Sequence, residues 1–171
     1  IKNIVKKIKN QKLIGINVNA GNIGIAMNGV HAIEIFNHLA DNNIIKINAI
    51  LENKKIFNPR GKKFVDVSGN VLCRNKSNQT LSITTSSNQK HGYSMIFNFT
   101  SGYIFLNLLN GHLYGNFRKR KYEKFQSGYY GLPSINFTKK IKLSDIETST
   151  KINLTNFLNN TKDYTNLQNA I

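Results

Sequence analysis

MIFNFTSGYIFLNLLNGHLYG, residues 95–115, is the stretch on which the fold reading turns. Short apolar runs alternate with polar residues, the pattern of strands with one buried face. One strand ends at Gly102, a second ends in Asn110-Gly111, and a third follows through Leu113 and Tyr114. An Asn-Gly pair suits a two-residue hairpin turn, because both central residues of that turn need positive φ.

The same grammar occurs twice upstream, in GINVNAGNIGIAMNGVHA (15–32) and KIFNPRGKKFVDVSGNVLC (55–73). Gly21, Gly61 and Gly102 are 40 and 41 residues apart, and Gly29, Gly69 and Gly111 are 40 and 42 apart. A weaker fourth copy, SINFTKKIKLSDIET, places Asn136 38 residues after Asn98 but lacks the glycines. The spacing predicts a mainly β fold of repeated β-hairpin units of about 40 residues. Such units close as a β-trefoil, or form a small propeller or another closed or stacked β architecture. TLSITTS (80–86) reads as a further strand. HAIEIFNHLA (31–40) stays open between a helix through Ile33, Phe36 and Leu39 and a strand through Ile33 and Ile35.

The expected organisation is a basic N-terminal arm over 1–12, a β-rich repeat domain over 13–150, and a C-terminal helix or tail over 151–171. Ile1, Ile4, Val5 and Ile8 have helical spacing in the arm, and Leu154, Phe157, Leu158, Tyr164 and Leu167 approach it at the other end. These terminal segments are read as short and helical or extended.

At 171 residues and 19.4 kDa the chain has the length of one domain, and 40% hydrophobic content is enough to bury a core. Lys and Arg number 24 against eight Asp and Glu, giving a formal charge of +16 and a pI near 10.0. The 27 Asn and 22 Ile, together with Lys, point to an AT-rich genome. AT-rich codons do not explain so few acids, so the charge predicts a polyanionic partner and argues against an acidic cytosolic enzyme. The single cysteine, Cys73, excludes an intramolecular disulfide and a Cys-rich zinc site, and reads as a small buried apolar residue. No run reaches the 18 or so apolar residues of a membrane span, and no signal peptide is visible.

The candidate polyanion-binding residues are Lys2, Lys6, Lys7 and Lys9 in the arm, Arg60, Lys62 and Lys63 around Gly61, Arg118, Lys119, Arg120, Lys121 and Lys124 in RKRKYEK, and Lys139, Lys140 and Lys142. On repeated β-connections these cations would share one rim that attracts phosphates and releases counterions. Tyr122, Tyr129 and Tyr130 are the candidates for base stacking beside it. His31, His38, His91 and His112 read as exposed or satisfied histidines, so no metal site is expected. His112 near the 118–124 cluster offers the one enzymatic reading, a ribonuclease toxin using general acid–base chemistry. GNIGIAMNG (21–29) reads as no phosphate-binding loop, because it lacks the Lys-Ser/Thr pair and no strand–helix context is expected there. No cofactor is expected.

The third unit resembles the hairpin of fibroblast-growth-factor-like β-trefoils in Gly111, Leu113, Tyr114, Gly115 and Phe125, and PRGKKFVDVSGNV is similar to that family's opening lobe. The resemblance spans roughly residues 55–130. The family's cysteine before the late Phe is absent, and its Gly-rich heparin-binding loop is not recognisable. The resemblance implies trefoil topology, heparan sulfate as the polyanion and a receptor as partner. Gly21–Ile25 is similar to phage tail-fibre repeats.

These readings converge on a non-enzymatic basic structural protein that binds RNA phosphates by shape and charge. A ribosomal or ribonucleoprotein component of an AT-rich, organellar genome is favoured, which would place it in a mitochondrial ribosome among neighbouring proteins of a large assembly. The alternatives are a viral or phage capsid or fibre subunit and a secreted heparin-binding trefoil.

Overall fold

The computed structural model describes residues 11–56, 58 and 60–141. The described fold falls within one compact unit, Ile1–Lys140. Eight strands form a single open sheet: β1 (Leu13–Asn19), β2 (Ile44–Ile56), β3 (Asp66–Asn75), β4 (Thr80–Thr85), β5 (Ser94–Phe99), β6 (Gly102–Asn107), β7 (His112–Arg118) and β8 (Ser134–Lys140). Their spatial order is β2-β3-β4-β1-β5-β6-β7-β8. The β1–β4 pair is parallel and the other neighbours are antiparallel. With β1 drawn pointing up, β2, β4, β6 and β8 also run up, while β3, β5 and β7 run down.

One helix covers part of one face. A π-turn over Ile25–Gly29 leads into α1 (Val30–Leu39), which descends across the sheet from the top of β1 to the bottom of β2. HAIEIFNHLA takes the helical alternative because Ala32 and Phe36, four apart, fall on one side and are buried. They meet the face built by Ile16 and Val18 of β1, Leu81 and Ile83 of β4, and Val71 and Cys73 of β3. Period two is clean in β1, where Ile16 and Val18 are buried while Asn17 and Asn19 are exposed. Burial pushes the Cys73 thiol pKa up.

Buried amides close the lower end. Gln79 receives the Asp41 N–H at 2.9 Å and donates to the Leu13 carbonyl at 3.0 Å, and Asn75 donates to Gln79 at 2.7 Å. Gln79 Nε2 also donates to the Asp41 carboxylate at 3.2 Å, so the end of α1, the start of β1 and the β3–β4 turn are tied together by groups that satisfy one another.

β5–β8 form a plain meander. Phe97, Ile104, Leu113 and Phe117 are buried. Phe99 and Phe137 flank Phe117, with ring centroids 5.7 and 6.3 Å away. Phe137 lies over Gly115, where a Cβ would come within 2.1 Å of the ring.

The repeat expected from the glycine spacing is not there. Gly102 opens β6, whereas Gly21 and Gly61 sit in turns with φ of 63° and 119°. Gly29 closes the π-turn, Gly69 is inside β3, and Gly111 is in the β6–β7 turn with φ of 72°. Gly69 is required because β2 bulges against it, and a Cβ would lie 2.3 Å from the Ile50 carbonyl oxygen. Equal spacing therefore reflects unrelated demands for glycine. The sheet is open, with β2 and β8 as edges, so neither the β-trefoil nor another closed or stacked repeat describes it. The growth-factor-like resemblance reduces to one antiparallel hairpin, β6–β7. No helix among the described residues is long and apolar enough to cross a membrane.

Candidate functional site

β1, its glycine-bearing turn and the helix start form a strand–turn–helix junction, correcting the expectation that no such context accompanies GNIGIAMNG. A helix N-terminus of this kind presents free N–H groups and a positive dipole end, the setting in which phosphates bind. Here the position is taken. The Asp66 carboxylate, 2% exposed at the top of β3, accepts the Ala26 N–H at 3.0 Å and the Met27 N–H at 3.1 Å. It also accepts its own neighbour's N–H, from Val67, at 2.9 Å. Gly24 makes room for it: a Cβ there would stand 1.7 Å from Asp66 Oδ2. A phosphate entering this junction would lose the donors to Asp66 and meet its negative charge. The junction thus does not fit the diphosphate of a dinucleotide. His31 is exposed just beyond it on α1, at the end of the sheet where β1, β2 and β4 finish.

Among the described residues the basic clusters do not share a rim. Lys2, Lys6, Lys7, Lys9 and Lys142, with residues 1–10 of the expected 1–12 arm and the segment over 151–171, lie outside the described residues. Arg60, Lys62 and Lys63 are exposed at the top, between β2 and β3. Lys139 and Lys140 end β8 at the opposite edge. Six inter-strand spacings of ~4.8 Å put roughly 29 Å between β3 and β8. The 118–124 cluster is at the bottom of the sheet, and several of its cations have local work. Arg118 donates to the carbonyls of Phe125 and Gln126, Lys121 lies 4.8 Å over the Tyr122 ring, and Lys124 lies 5.7 Å over Phe125. His112 opens β7 at the top, six residues and roughly 20 Å of strand from Arg118. The acid–base arrangement wanted for a ribonuclease is therefore not assembled.

A concavity lies under the connection from β7 to β8, residues 119–133. It is a cleft of about 570 Å³ that opens onto the uncovered sheet face. Asn98 and Tyr103, paired across β5–β6, and Asn116 of β7 supply its floor. Phe125, Tyr129 and Tyr130 come from the connection above. Glu123 holds that connection down by accepting from Gln11 Nε2 and the Ser101 hydroxyl, each at 3.2 Å. Of the stacking candidates, Tyr129 and Tyr130 line this cleft, while Tyr122 packs on Phe125 with centroids 6.3 Å apart. Asn98, Asn116 and Asp66 were not singled out by sequence, since only strand pairing places them. A second hollow, about 400 Å³, lies at the upper end against His112, Tyr114 and Lys140. No group of three or more His, Cys, Asp or Glu side chains suited to a metal ion occurs among the described residues.

No protein-family model and no curated protein sequence matches the chain. Solved structures do share its fold. UDP-N-acetylglucosamine 3-dehydrogenase from Acidithiobacillus ferrooxidans matches 92% of this chain with a TM-score of 0.61 at 9% identity, over 50% of its own length. A super-repressor mutant of Gal80p from Saccharomyces cerevisiae matches 95% with a TM-score of 0.62 at 12% identity, again over 50% of its length. A 3-ketoreductase from Actinomadura kijaniata in complex with NADP matches 93% with a TM-score of 0.60 at 10% identity, over 48% of its length. The chain spans about half the length of the structures it matches. The likeness is one of fold, and it is a fold carried by a dehydrogenase and a ketoreductase. This corrects the expectation of a non-enzymatic ribosomal or ribonucleoprotein component with RNA or another polyanion as its partner. The absence of a repeat and the open sheet likewise remove the β-repeat capsid or fibre and the heparin-binding trefoil.

Proposed function

We propose that the chain is the sheet-bearing portion of a two-part oxidoreductase acting on sugar-type substrates, with the nicotinamide dinucleotide held by a part of the protein other than its described residues. The observation that carries this is the closed junction: the one described strand–turn–helix site for a diphosphate is filled by Asp66. Two further features support the division of labour. Among the described residues the sheet is mixed and covered by one helix, unlike the doubly wound parallel sheet that binds dinucleotides between its halves. The chain also accounts for only about half of proteins described as a UDP-N-acetylglucosamine 3-dehydrogenase and an NADP-bound ketoreductase.

In this role the sheet is a rigid wall. Asn17, Asn19, Ser82, Thr84, Asn98 and Asn116 share its uncovered face through the strand register, giving amides and hydroxyls that both donate and accept. Such groups suit a substrate rich in hydroxyls. No step of a hydride transfer is assigned to described residues, since they do not fit the cofactor.

The test is a titration of the intact native polypeptide with NADH and NADPH by nicotinamide fluorescence, followed by turnover on a panel of sugars and nucleotide sugars. Saturable cofactor binding and turnover, with the Ala26 and Met27 amides unperturbed, is the expected outcome. Failure of the intact protein to bind either dinucleotide would overturn the reading.

A further inference from the structure

We propose that the cleft beneath residues 119–133 is a binding site for a neutral polyhydroxylated ligand, a saccharide ring, at the lower end of the sheet and away from the helix junction. This deepens the substrate role proposed for the uncovered face, which shares Asn98 and Asn116 with the cleft, and rests on that reading for the sugar class.

Size is the first argument. About 570 Å³ lies within the ~300–1,000 Å³ typical of small-molecule sites. The second is the chemistry of the walls. Tyr129 is 57% exposed and Tyr130 95% exposed at the mouth, while Tyr103 on the floor is 39% exposed. Open tyrosine rings offer an apolar face and a polar tip to a ligand that has both. A saccharide does: its C–H face packs on a ring, and its hydroxyls reach amides. Asn98, Ser134 and the side-chain carbonyl of Asn116, whose Nδ2 donates to Asn136 at 2.6 Å, provide donors and acceptors around those rings.

The charged groups of the lining, Arg118 and Glu123, are of opposite sign. The cleft's Arg118 already donates to two backbone carbonyls, and Glu123 contributes a carboxylate to the same wall. A phosphate would meet the Glu123 carboxylate beside Arg118, whereas a neutral ligand meets no such repulsion. Local rigidity favours binding as well. Arg118 and Glu123 pin the connection, the first through the Phe125 and Gln126 carbonyls and the second through Gln11 and Ser101. The ordering cost of closing the site is thereby reduced before a ligand arrives.

The experiment is an amide-resolved NMR titration of the intact protein with maltotriose, an N-acetylglucosamine trimer, AMP and inorganic phosphate. It is run on the native sequence and on Tyr130→Ala and Asn116→Ala. The saccharides are expected to shift Asn98, Tyr103, Asn116 and Ser134 saturably, with affinity about tenfold weaker in Tyr130→Ala, or ~1.4 kcal/mol. Tyr130 is almost fully exposed, so that variant keeps its fold and remains informative if Asn116→Ala does not. Absence of shifts at the cleft, shifts unaffected by Tyr130→Ala, or a response confined to AMP or phosphate would overturn the proposal. Cofactor binding by the intact protein is measured separately, so failure here and failure of the oxidoreductase reading are distinguishable.

Discussion

The two halves of the sheet are held by different physics. On the β2-β3-β4-β1 side, aliphatic residues and Cys73 pack under α1, and remote polar contacts fix the helix ends: Asp66 above, and Gln79 with Asn75 below. On the β5–β8 side the chain follows itself in hairpins, and rings stack strand to strand around Phe117. The first half depends on contacts between residues about 40 positions apart, and the second on neighbours in sequence. Function divides along the same line. The helix half contains the closed junction, whereas the meander half has the cleft.

The largest expected effect breaks the first half. Phe36→Ala empties the space beneath α1 and should cost about 3–5 kcal/mol, read by urea denaturation with loss of helical circular dichroism. Asp66→Ala leaves the Ala26, Met27 and Val67 N–H groups without their acceptor, an expected loss of ~1–3 kcal/mol. Hydrogen exchange should quicken at Ala26 and Met27 and stay unchanged in β6–β7. Gly115→Ala is the counterpart in the meander. Its Cβ meets Phe137, so overpacking should cost ~1–3 kcal/mol, with exchange quickening in β8 and unchanged in α1.

The smallest effect is a pH dependence in the helix half. Hydrogen bonds from the Ser87 side chain and N–H hold the Glu52 carboxyl below its ordinary value of 4.5. A carboxyl whose pKa is lower folded than unfolded adds stability above the unfolded value. That contribution disappears as pH falls through the folded value. Thermal midpoints of the native protein and Glu52→Gln should converge on acidification below the ordinary carboxyl range and separate slightly above it. Parallel curves would remove Glu52 from the account.

The same contrast explains what could be read from the sequence. The β6–β7 hairpin was legible, but not its turn: Asn107 pairs with His112, so residues 108–111 form a four-residue loop in which Gly111 alone has positive φ, not the two-residue Asn110-Gly111 turn expected. Three glycine pairs at near-equal spacing suggested a repeat, yet Gly29, Gly69 and Gly111 serve a helix start, a strand facing a bulge and a turn. HAIEIFNHLA could not be resolved by period alone, since its helical choice depends on a sheet brought beneath it. Tyr129 and Tyr130 were noticed for stacking, but their companions Asn98 and Asn116 arrive through strand pairing. Net charge misled most. The clusters around Arg60, Arg118 and Lys139 looked like one rim, but the strand order sends them to different edges and ends. Asp66 gave no signal as a cap, being 40 residues from the N–H it serves.

The most direct measurement is an amide-resolved titration of the intact protein with NADPH, followed at Ala26 and Met27. With Asp66 closing the junction, those two amides should not move at any cofactor concentration, whether or not the dinucleotide binds elsewhere. Saturable shifts at both, abolished when the nicotinamide dinucleotide is replaced by nicotinamide alone, would show the diphosphate displacing Asp66 and contradict the division of labour proposed here.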